Sequence, residues 1–406
     1  MPKAQTLTFK RTLNASPTEV YRMLTHATAL RDWLCNAAQA EARLGGGLYV
    51  RWESGAWAVG QFTALEPDKK VSFTWTHSAE PEPARITISL SPKNGSTALT
   101  LKHAVGSGKK WAAIAFNIQA AWESALENLQ SVLETGIDQR VARRPRLGIF
   151  IDDFTPEIAA RIGVPVKQGI RLAGTAEGTG ARAAGLQKDD VIVKLGGKKA
   201  VDFPTLTVAL HGHHAGDVAP VVFYRGAEKM TAPLELSRFP TPKLPPTAAA
   251  LAEAAHKVYA DLRAEFAKLL EGVTEAEADK RPAPNEWNTK ELVAHFIACE
   301  RDLQSWVADM LNDKAVGDSL EFRPNVTVRL RALVARYPTL PALLDELKHS
   351  SDESIALVAA FPPEFVARKH MFGRVAQWIT EVVPDHLREE HNEQLKATLA
   401  AARRAS

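Results

Sequence analysis

The side chains that could carry chemistry are concentrated in the C-terminal part of the chain. His295 and Cys299 are four residues apart, and His386 and Glu390 are four apart in a later segment, followed directly by His391. Residues four apart share one face of a helix, whereas at about 100° per residue the step of five from His386 to His391 turns these two side chains well away from each other. Imidazole and carboxylate groups can transfer protons or bind a metal ion.

Other catalytic patterns do not occur in the sequence. There is no Gly-rich phosphate loop, no Ser-His-Asp arrangement and no CxxC pair, so kinase, serine-hydrolase and redox functions lack support. His26, His77 and His103 lie in separate segments with no nucleophile signature, and we assign no chemistry to them. The two cysteines, Cys35 and Cys299, lie in different segments, which indicates no disulfide and fits a reducing cytoplasm.

Length and charge predict a soluble protein of several domains. At roughly 150 residues per domain, 406 residues suggest two or three domains, each large enough for its own core. Fifty Lys and Arg against 47 Asp and Glu give a net charge of +3, which is too balanced to favour a nucleic-acid or membrane-surface partner. No signal peptide and no apolar run of about 18 residues is found, so we expect a cytoplasmic protein.

The C-terminal module is predicted to be an all-α four-helix bundle over residues 247–403. It follows a Pro-bearing linker at residues 238–247, which cannot continue a strand and marks a boundary. Four segments then show apolar residues three and four apart over four or more turns. They are AALAEAAHKVYADLRAEFAKLLEGV, TKELVAHFIACERDLQSWVADML, TLPALLDELKHSSDESIALVAAF and VAQWITEVVPDHLREEHNEQLKATLAAA.

Two stretches of this module, RPAPNEWNTKELVAHFIACERD and DHLREEHNEQL, resemble the DinB/YfiT-like family. The resemblance implies a divalent metal held by one histidine on the second helix and two histidines, four apart, on the last. His295 matches the first ligand and His391 the final one, but Leu387 stands four residues before His391. Zinc or nickel would suit such imidazoles, with one position left for water or a thiol.

The third ligand is open at this stage. His386, Glu390 or Cys299 could join His295 and His391, and His295, His386 and Glu390 form a further set. The alternative is a bundle that keeps His295 and His391 as packed or hydrogen-bonded residues without a metal. The departure from the spacing of the family favours this alternative.

The N-terminal module, residues 1–138, alternates apolar and polar residues in several short strands and closes with a long helix. Two short helices follow the first strand, and Trp122, Leu126, Leu129 and Leu133 share one face of the closing helix. This order resembles the START-like (SRPBCC) helix-grip fold, and is most similar to the activators of the heat-shock-90 chaperone ATPase. The matching stretches are ASPTEVYRMLTHATALRDWL, GGG at 45–47, WAVGQFTALEPDKKVSFTW, GSTALTLKH and AAWESALENLQSVLETG.

The resemblance implies a cavity between sheet and helix that binds an apolar small molecule or a client protein. Aromatic side chains offer apolar area with few rotatable bonds, so we expect them in its wall. The alternative for each ring is packing in the core. The candidates are Trp52, Trp57, Phe62, Phe73, Trp75 and Phe116.

The middle module, residues 145–237, contains the strand LGIF, the core ARAAGLQKDDVIVKLGGKKAVD, the helix PTLTVALHG, and AGD followed by the strand APVVFYRG. Together these stretches resemble a PDZ domain of the bacterial protease-associated type. The pair Asp189-Asp190 departs from the usual Gly-Asp, so this turn could be built differently.

A peptide C-terminus is the partner that this module predicts. Gly148 lets successive N–H groups face outward and hold a carboxylate, while the peptide adds as a strand beside LGIFI. An apolar pocket would form between that strand and a helix face bearing Phe203, Leu206 and Leu210, which can equally be ordinary core. The candidate residues are Leu147, Gly148, Ile149, Phe150, Ile151, Leu206 and Leu210.

The sequence therefore predicts a multidomain α+β protein with a helix-grip domain, a PDZ-like β-rich domain and an all-α bundle. Two functions remain in view. The first is a binding or adaptor protein that takes an apolar ligand or client and docks peptide C-termini. The second is a metal-dependent DinB-like enzyme, a thiol transferase or hydrolase, in which His391 and Glu390 serve metal and acid-base roles.

Overall fold

The N-terminal part is an antiparallel sheet of seven strands with one long helix. The computed structural model describes residues 5–239, 244–314 and 326–404. The strands are β1 (Gln5–Leu13), β2 (Ala37–Ala40), β3 (Gly47–Arg51), β4 (Trp57–Glu66), β5 (Lys70–His77), β6 (Ala84–Lys93) and β7 (Ser96–Val105), in the order β1-β7-β6-β5-β4-β3-β2. The helices are α1 (Pro17–Thr25), α2 (Ala27–Trp33) and α3 (Lys109–Thr135).

Local sequence explains how these helices begin and pack. Ser16 is the N-cap of α1, where its hydroxyl accepts a hydrogen bond from the Glu19 N–H at 3.2 Å. The predicted apolar face of α3 is buried, from Trp122 to Leu133. The expected helix-grip arrangement is confirmed.

The middle part is a smaller sheet with short helices. Its strands are β8 (Ile149–Asp152), β9 (Ile170–Thr175), β10 (Val191–Leu195), β11 (Lys198–Lys199), β12 (Val218–Arg225) and β13 (Glu228–Glu235). Its helices are α4 (Gln139–Ala142), α5 (Pro156–Ile162), α6 (Gly180–Ala183) and α7 (Phe203–Leu210). The order is β13-β12-β10-β9-β8, with β11 on β10, so that β8 is an edge strand among the described residues.

The turn at Asp189-Asp190 is built with an aspartate in the left-handed region. Asp189 has φ 67°, a conformation that aspartate adopts more readily than most residues, and Arg171 Nη1 donates to its Oδ1 at 2.9 Å. Asp190 is fully buried and pairs with Arg225 at 2.8 Å. The turn therefore keeps a glycine-like backbone without the glycine.

The C-terminal part is helical. Its first helices are α8 (Ala248–Leu269), α9 (Glu275–Asp279), α10 (Thr289–Leu311), α11 (Val326–Arg336), α12 (Leu340–Ala359) and α13 (Pro363–Ala367). The last helix runs through α14 (Lys369–Gln377), α15 (Val383–Asp385) and α16 (Asn392–Arg404), joined by π-helical turns at Trp378–Val382 and His386–Glu390. The four predicted helices are present, and α11, which the sequence reading did not include, packs on α10 through Leu330 and Leu333.

The helix-grip sheet and the helical part belong to one compact unit, Met1–Gly136 with Pro242–Ser406, and Ile137–Thr241 form a second. Within the first unit, Arg22 on α1 reaches Asp313 at 2.9 Å, and Arg368 reaches the same carboxylate at 3.2 Å. These contacts join residues that are far apart in the sequence. In the described residues, no helix is both long and apolar enough to span a membrane.

Candidate functional site

The histidine site begins with the way α10 starts. Asn288 is the N-cap, and its side chain accepts from the Glu291 N–H at 2.8 Å while Glu291 accepts from the Asn288 N–H at 3.1 Å. This reciprocal capping box fixes the first turn. Trp287, just before the cap, lies with its ring centroid 5.0 Å from that of His295. The Trp-Asn lead-in therefore both starts the helix and covers the histidine two turns later.

Three imidazoles meet at this point. His295 Nε2 lies 3.3 Å from His386 Nε2, and His391 Nε2 lies 3.1 Å from the same atom. One ligand atom from each residue falls within 4.8 Å of the other two. In the described part of the chain, this is the one group of at least three His, Cys, Asp or Glu side chains arranged closely enough to share a metal ion.

The expectation that His386 points away from His391 is wrong, because the intervening turn is not α-helical. His386–Glu390 form a π-helical turn. Hydrogen bonding from residue i to i+5 brings residues five apart one turn above each other. Two residues five apart in a π-helical turn therefore share one face of the helix, as two residues four apart do in an α-helix.

Pro384 is the sequence signal for this irregularity. It lies in α15 between the two π-helical turns, and proline removes a backbone donor from the interior of a helix. In the turn before it, the Val383 N–H bonds to the Trp378 carbonyl, five residues back. A proline in the middle of an otherwise regular apolar pattern indicates where α-helical spacing should not be assumed.

Two of the three nitrogen separations in the cluster match those of a tetrahedral metal site. At Zn–N distances of about 2.0 to 2.1 Å, two nitrogens on one tetrahedral ion are about 3.3 to 3.4 Å apart. The distances of 3.3 and 3.1 Å between His386 Nε2 and its two neighbours are close to this value. Facing lone pairs at such distances repel unless a proton or a cation lies between them, so the donor set suits a cation.

The surroundings keep His295 neutral and orient His391. Burial, together with the nearby His391, His386 and Arg329, lowers the pKa of His295 to about 3, so this ring is neutral at neutral pH. The His391 Nδ1 lies 2.9 Å from Gln394 Oε1, an acceptor, which leaves His391 Nε2 as the ring nitrogen with a lone pair facing the cluster.

The other candidate ligands have separate outcomes. Cys299 is buried, and its Sγ lies 3.6 Å from His295 Nε2, which places a thiol beside the cluster. The side chain of Glu390 lies outside the described residues. Of the set His295, His386 and Glu390, the two histidines therefore lie in the cluster, and His391 is the third residue there.

A cavity of about 350 Å³ lies in the helix-grip domain, with walls from the sheet and from α3. Of the six aromatic candidates, Trp52 and Trp75 line it, and Trp122 of α3 joins them. The wall is largely apolar, with a few polar side chains. Its lining includes Trp52, Trp75, His77, Glu80, Ile118 and Trp122.

The other four aromatic candidates lie elsewhere. Phe62 and Phe73 are buried in the core, and their rings meet edge to face at 6.0 Å. Trp57 is 40% exposed at the start of β4, and Phe116 is 80% exposed on α3. Phe116 is two residues from the lining residue Ile118, a turn of about 200° that points it to the opposite side of the helix.

The sequence pattern did not indicate the polar residues in and beside the cavity. Glu80 lies in the wall; its Oε1 is 3.3 Å from the Trp75 indole nitrogen, and its Oε2 is 3.4 Å from His103 Nε2. His103 is fully buried and its Nδ1 accepts from Trp122 Nε1 at 3.2 Å. Burial lowers the pKa of His77 nearby. These residues come from different strands and a loop, so no spacing in the sequence could have indicated the network.

The residues predicted to bind a peptide divide into core and surface. Leu147 and Leu206 are buried, and Ile149 and Leu210 pack partly buried against the same core. Phe150 and Ile151 on β8 are 56% and 48% exposed. Gly148 has φ 78°, and a Cβ there would come within 2.3 Å of the Thr179 side chain, so this position requires glycine. Phe203 is 70% exposed on α7.

Comparison with known proteins identifies two of the domains. Residues 14–134 match the family model described as Activator of Hsp90 ATPase homolog 1-like protein, and residues 258–395 match that of the DinB superfamily. The chain therefore contains an activator-of-Hsp90-ATPase-like domain and a DinB-superfamily helical domain, as their sequence patterns predicted.

Similar proteins match shorter stretches. The mouse (Mus musculus) Activator of 90 kDa heat shock protein ATPase homolog 1 is 32% identical over 98 residues, 24% of this chain and 28% of the relative. The Serine protease Do-like HtrA of Lactococcus lactis subsp. cremoris is 31% identical over 116 residues, 27% of this chain and 28% of the relative. The chain thus spans less than a third of the length of either. The solution structure of the Aha1 dimer from Colwellia psychrerythraea is 24% identical and covers 32% of this chain and 98% of that one, with a TM-score of 0.29.

Proposed function

We propose that the helical domain binds one divalent transition-metal ion through His295, His386 and His391, and that the protein is a metal-dependent enzyme of the hydrolase or thiol-transferase class. The convergence of these three histidines, with the Nε2 atom of His386 3.3 and 3.1 Å from those of His295 and His391, carries this proposal. The match to the DinB superfamily supports it. The five-residue spacing of His386 and His391 does not argue against a metal site, because the π-helical turn aligns the two histidines.

The residues of the chain prepare this site in three ways. Burial keeps His295 neutral, and the Gln394 side chain orients His391. The Trp287 ring lies over both His295 and His391, at 5.0 and 6.3 Å between centroids, and shields them from water. A bound zinc or nickel would act there as a Lewis acid that favours deprotonation of a water or thiol.

Elemental analysis tests this proposal directly. Protein stripped with a chelator, incubated with zinc or nickel and desalted is expected to retain about one ion per chain, because three converging imidazoles form a preformed site. Binding should also stabilise the fold, by about 2.7 kcal/mol when free metal is 100 times Kd. Substoichiometric metal with no thermal shift would refute the proposal.

We further propose that the helix-grip domain binds a small apolar ligand in its cavity. A volume of about 350 Å³ lies within the range of small-molecule sites, and the lining is mainly aromatic and aliphatic. The family model and the mouse relative, both named as Hsp90 activators, suggest a chaperone or client partner for the same domain. The size and largely apolar lining of the cavity favour the small molecule.

A peptide-docking function for the middle domain, as in PDZ domains, has one specific observation in its favour. Strand β8 is at the sheet edge, and exposes Phe150 and Ile151. An edge strand with exposed apolar side chains can accept an added strand from a partner. Gly148, in a left-handed conformation just before β8, supports the proposed carboxylate loop.

A peptide ending in an apolar residue is expected to bind this domain at least about tenfold more tightly as the free acid than as the C-terminal amide, since amidation removes the charge that the loop N–H groups would hold. Fluorescence anisotropy with a labelled peptide pair measures the ratio. Gly148→Ala should weaken the free acid selectively, because its Cβ would collide with Thr179. Equal affinities of the acid and the amide would exclude this docking mode.

A further inference from the structure

We propose that the cavity of the helix-grip domain selects a ligand carrying an organic ammonium group, which binds between Glu80 and the rings of Trp52, Trp75 and Trp122. The inference rests on the proposed ligand-binding function of this cavity and adds the charge of the ligand. It is carried by one buried carboxylate in an otherwise largely apolar wall.

Glu80 is a buried acid with unused hydrogen-bonding capacity. Its side chain is 6% exposed and forms part of the cavity wall. Oε1 accepts from the Trp75 indole N–H at 3.3 Å, whereas Oε2 is buried and makes no hydrogen bond in the described residues. A buried carboxylate is costly unless a positive partner or further donors meet it. Oε2 is closed off against His103, so a cation in the cavity would be favoured by the charge of the carboxylate and not by a hydrogen bond to this atom.

The nearby histidines do not supply the positive charge, since burial lowers the pKa of His77 in the wall. His103 Nδ1 accepts a hydrogen bond from Trp122 Nε1 at 3.2 Å, so Nδ1 carries a lone pair and not a proton. The ring is therefore neutral with its proton on Nε2, which lies 3.4 Å from Glu80 Oε2 in a geometry too poor for a hydrogen bond. Among the described residues that line the cavity, there is no lysine or arginine.

The aromatic walls suit an ammonium group. The Trp52 and Trp75 rings are 6.2 Å apart at 76°, and Trp75 and Trp122 are 6.0 Å apart at 45°. Rings set at such angles surround a space from several sides, as in the aromatic cages that bind alkylated ammonium ions through cation–π attraction. The carboxylate adds the charge that distinguishes a cation from a neutral ligand of the same shape.

A matched pair of ligands tests the charge preference. Benzyltrimethylammonium and neopentylbenzene differ by a positive nitrogen in place of a carbon, with nearly the same shape. In calorimetric or ligand-observed NMR titrations of the full chain, the cation is expected to bind at least about tenfold more tightly. Glu80→Gln, which retains an acceptor for Trp75, should weaken the cation about tenfold and leave the neutral ligand unchanged.

Glu82→Gln is the matched control, since Glu82 is exposed two residues further on and should affect neither ligand. A thermal melt checks that each variant is folded. Equal affinity of the two ligands, or an unchanged cation preference in Glu80→Gln, would overturn the inference while leaving an apolar-ligand cavity in place. If neither ligand binds, the inference fails together with the cavity function on which it rests.

Discussion

Replacing His295 with alanine is expected to lower the affinity of the helical domain for zinc or nickel by more than about 100-fold. Losing even an outer-shell partner of a metal ligand costs about 10- to 100-fold, and His295 would be a direct ligand. Its ring is the most buried of the three, which makes replacement by water unfavourable. The measurement is metal content after equilibrium dialysis at fixed free metal, with competition against a chelator of known affinity.

His256→Ala provides the control, because this histidine is exposed on α8 and lies outside the cluster. The variant Gln394→Ala distinguishes a metal site from histidines that pack without a metal. Loss of the side chain that orients His391 should weaken metal about 10- to 100-fold while leaving the metal-free protein nearly as stable. Full metal retention in His295→Ala would show that the three imidazoles are structural.

Glu300 is the second position at which a large effect is expected, this time on stability. It lies on α10, fully buried, and its Oε2 accepts from Ser354 Oγ at 2.7 Å. Burial raises the pKa of Glu300 to about 7 from 4.5, although Tyr259, Ser354 and Arg263 act in the opposite direction. The folded protein therefore holds a proton on this carboxyl at pH values where the unfolded chain has released it.

The sign of the resulting pH dependence follows from linkage. Because the folded-state pKa is the higher one, the contribution of Glu300 to stability is most favourable below about pH 4.5 and declines as pH rises to about 7, after which it is constant. Glu300→Gln mimics the protonated form, so it should raise the free energy of unfolding by about 3 kcal/mol at pH 8, but by much less at pH 5.

Urea unfolding at both pH values, in the presence of a chelator so that metal does not contribute, measures this difference. Glu353→Gln, on the exposed face of α12, should change stability little at either pH. A Glu300→Gln variant that is destabilised equally at pH 5 and pH 8 would show that the carboxyl is needed for its shape and hydrogen bonds, and not held in its neutral form.

The sequence by itself determined the elements that depend on neighbours along the chain. Ser16 and Asn288 cap α1 and α10 because their side chains reach N–H groups three residues on. Apolar residues three and four apart marked the buried faces of the long helices, since the period of an α-helix is local. Family patterns of this kind were enough to identify the activator-like and DinB-like domains.

The tertiary structure decided the relations between distant residues and the places where a helix departs from its regular period. His386 and His391 meet because the chain forms a π-helical turn after Pro384, which α-helical spacing cannot anticipate. Glu80 lies in the loop after β5 and meets His103 of β7, so their contact depends on how this loop packs against the sheet and not on sequence distance. The sequence thus shows which side chains could carry chemistry, whereas the packing between elements decides which of them meet.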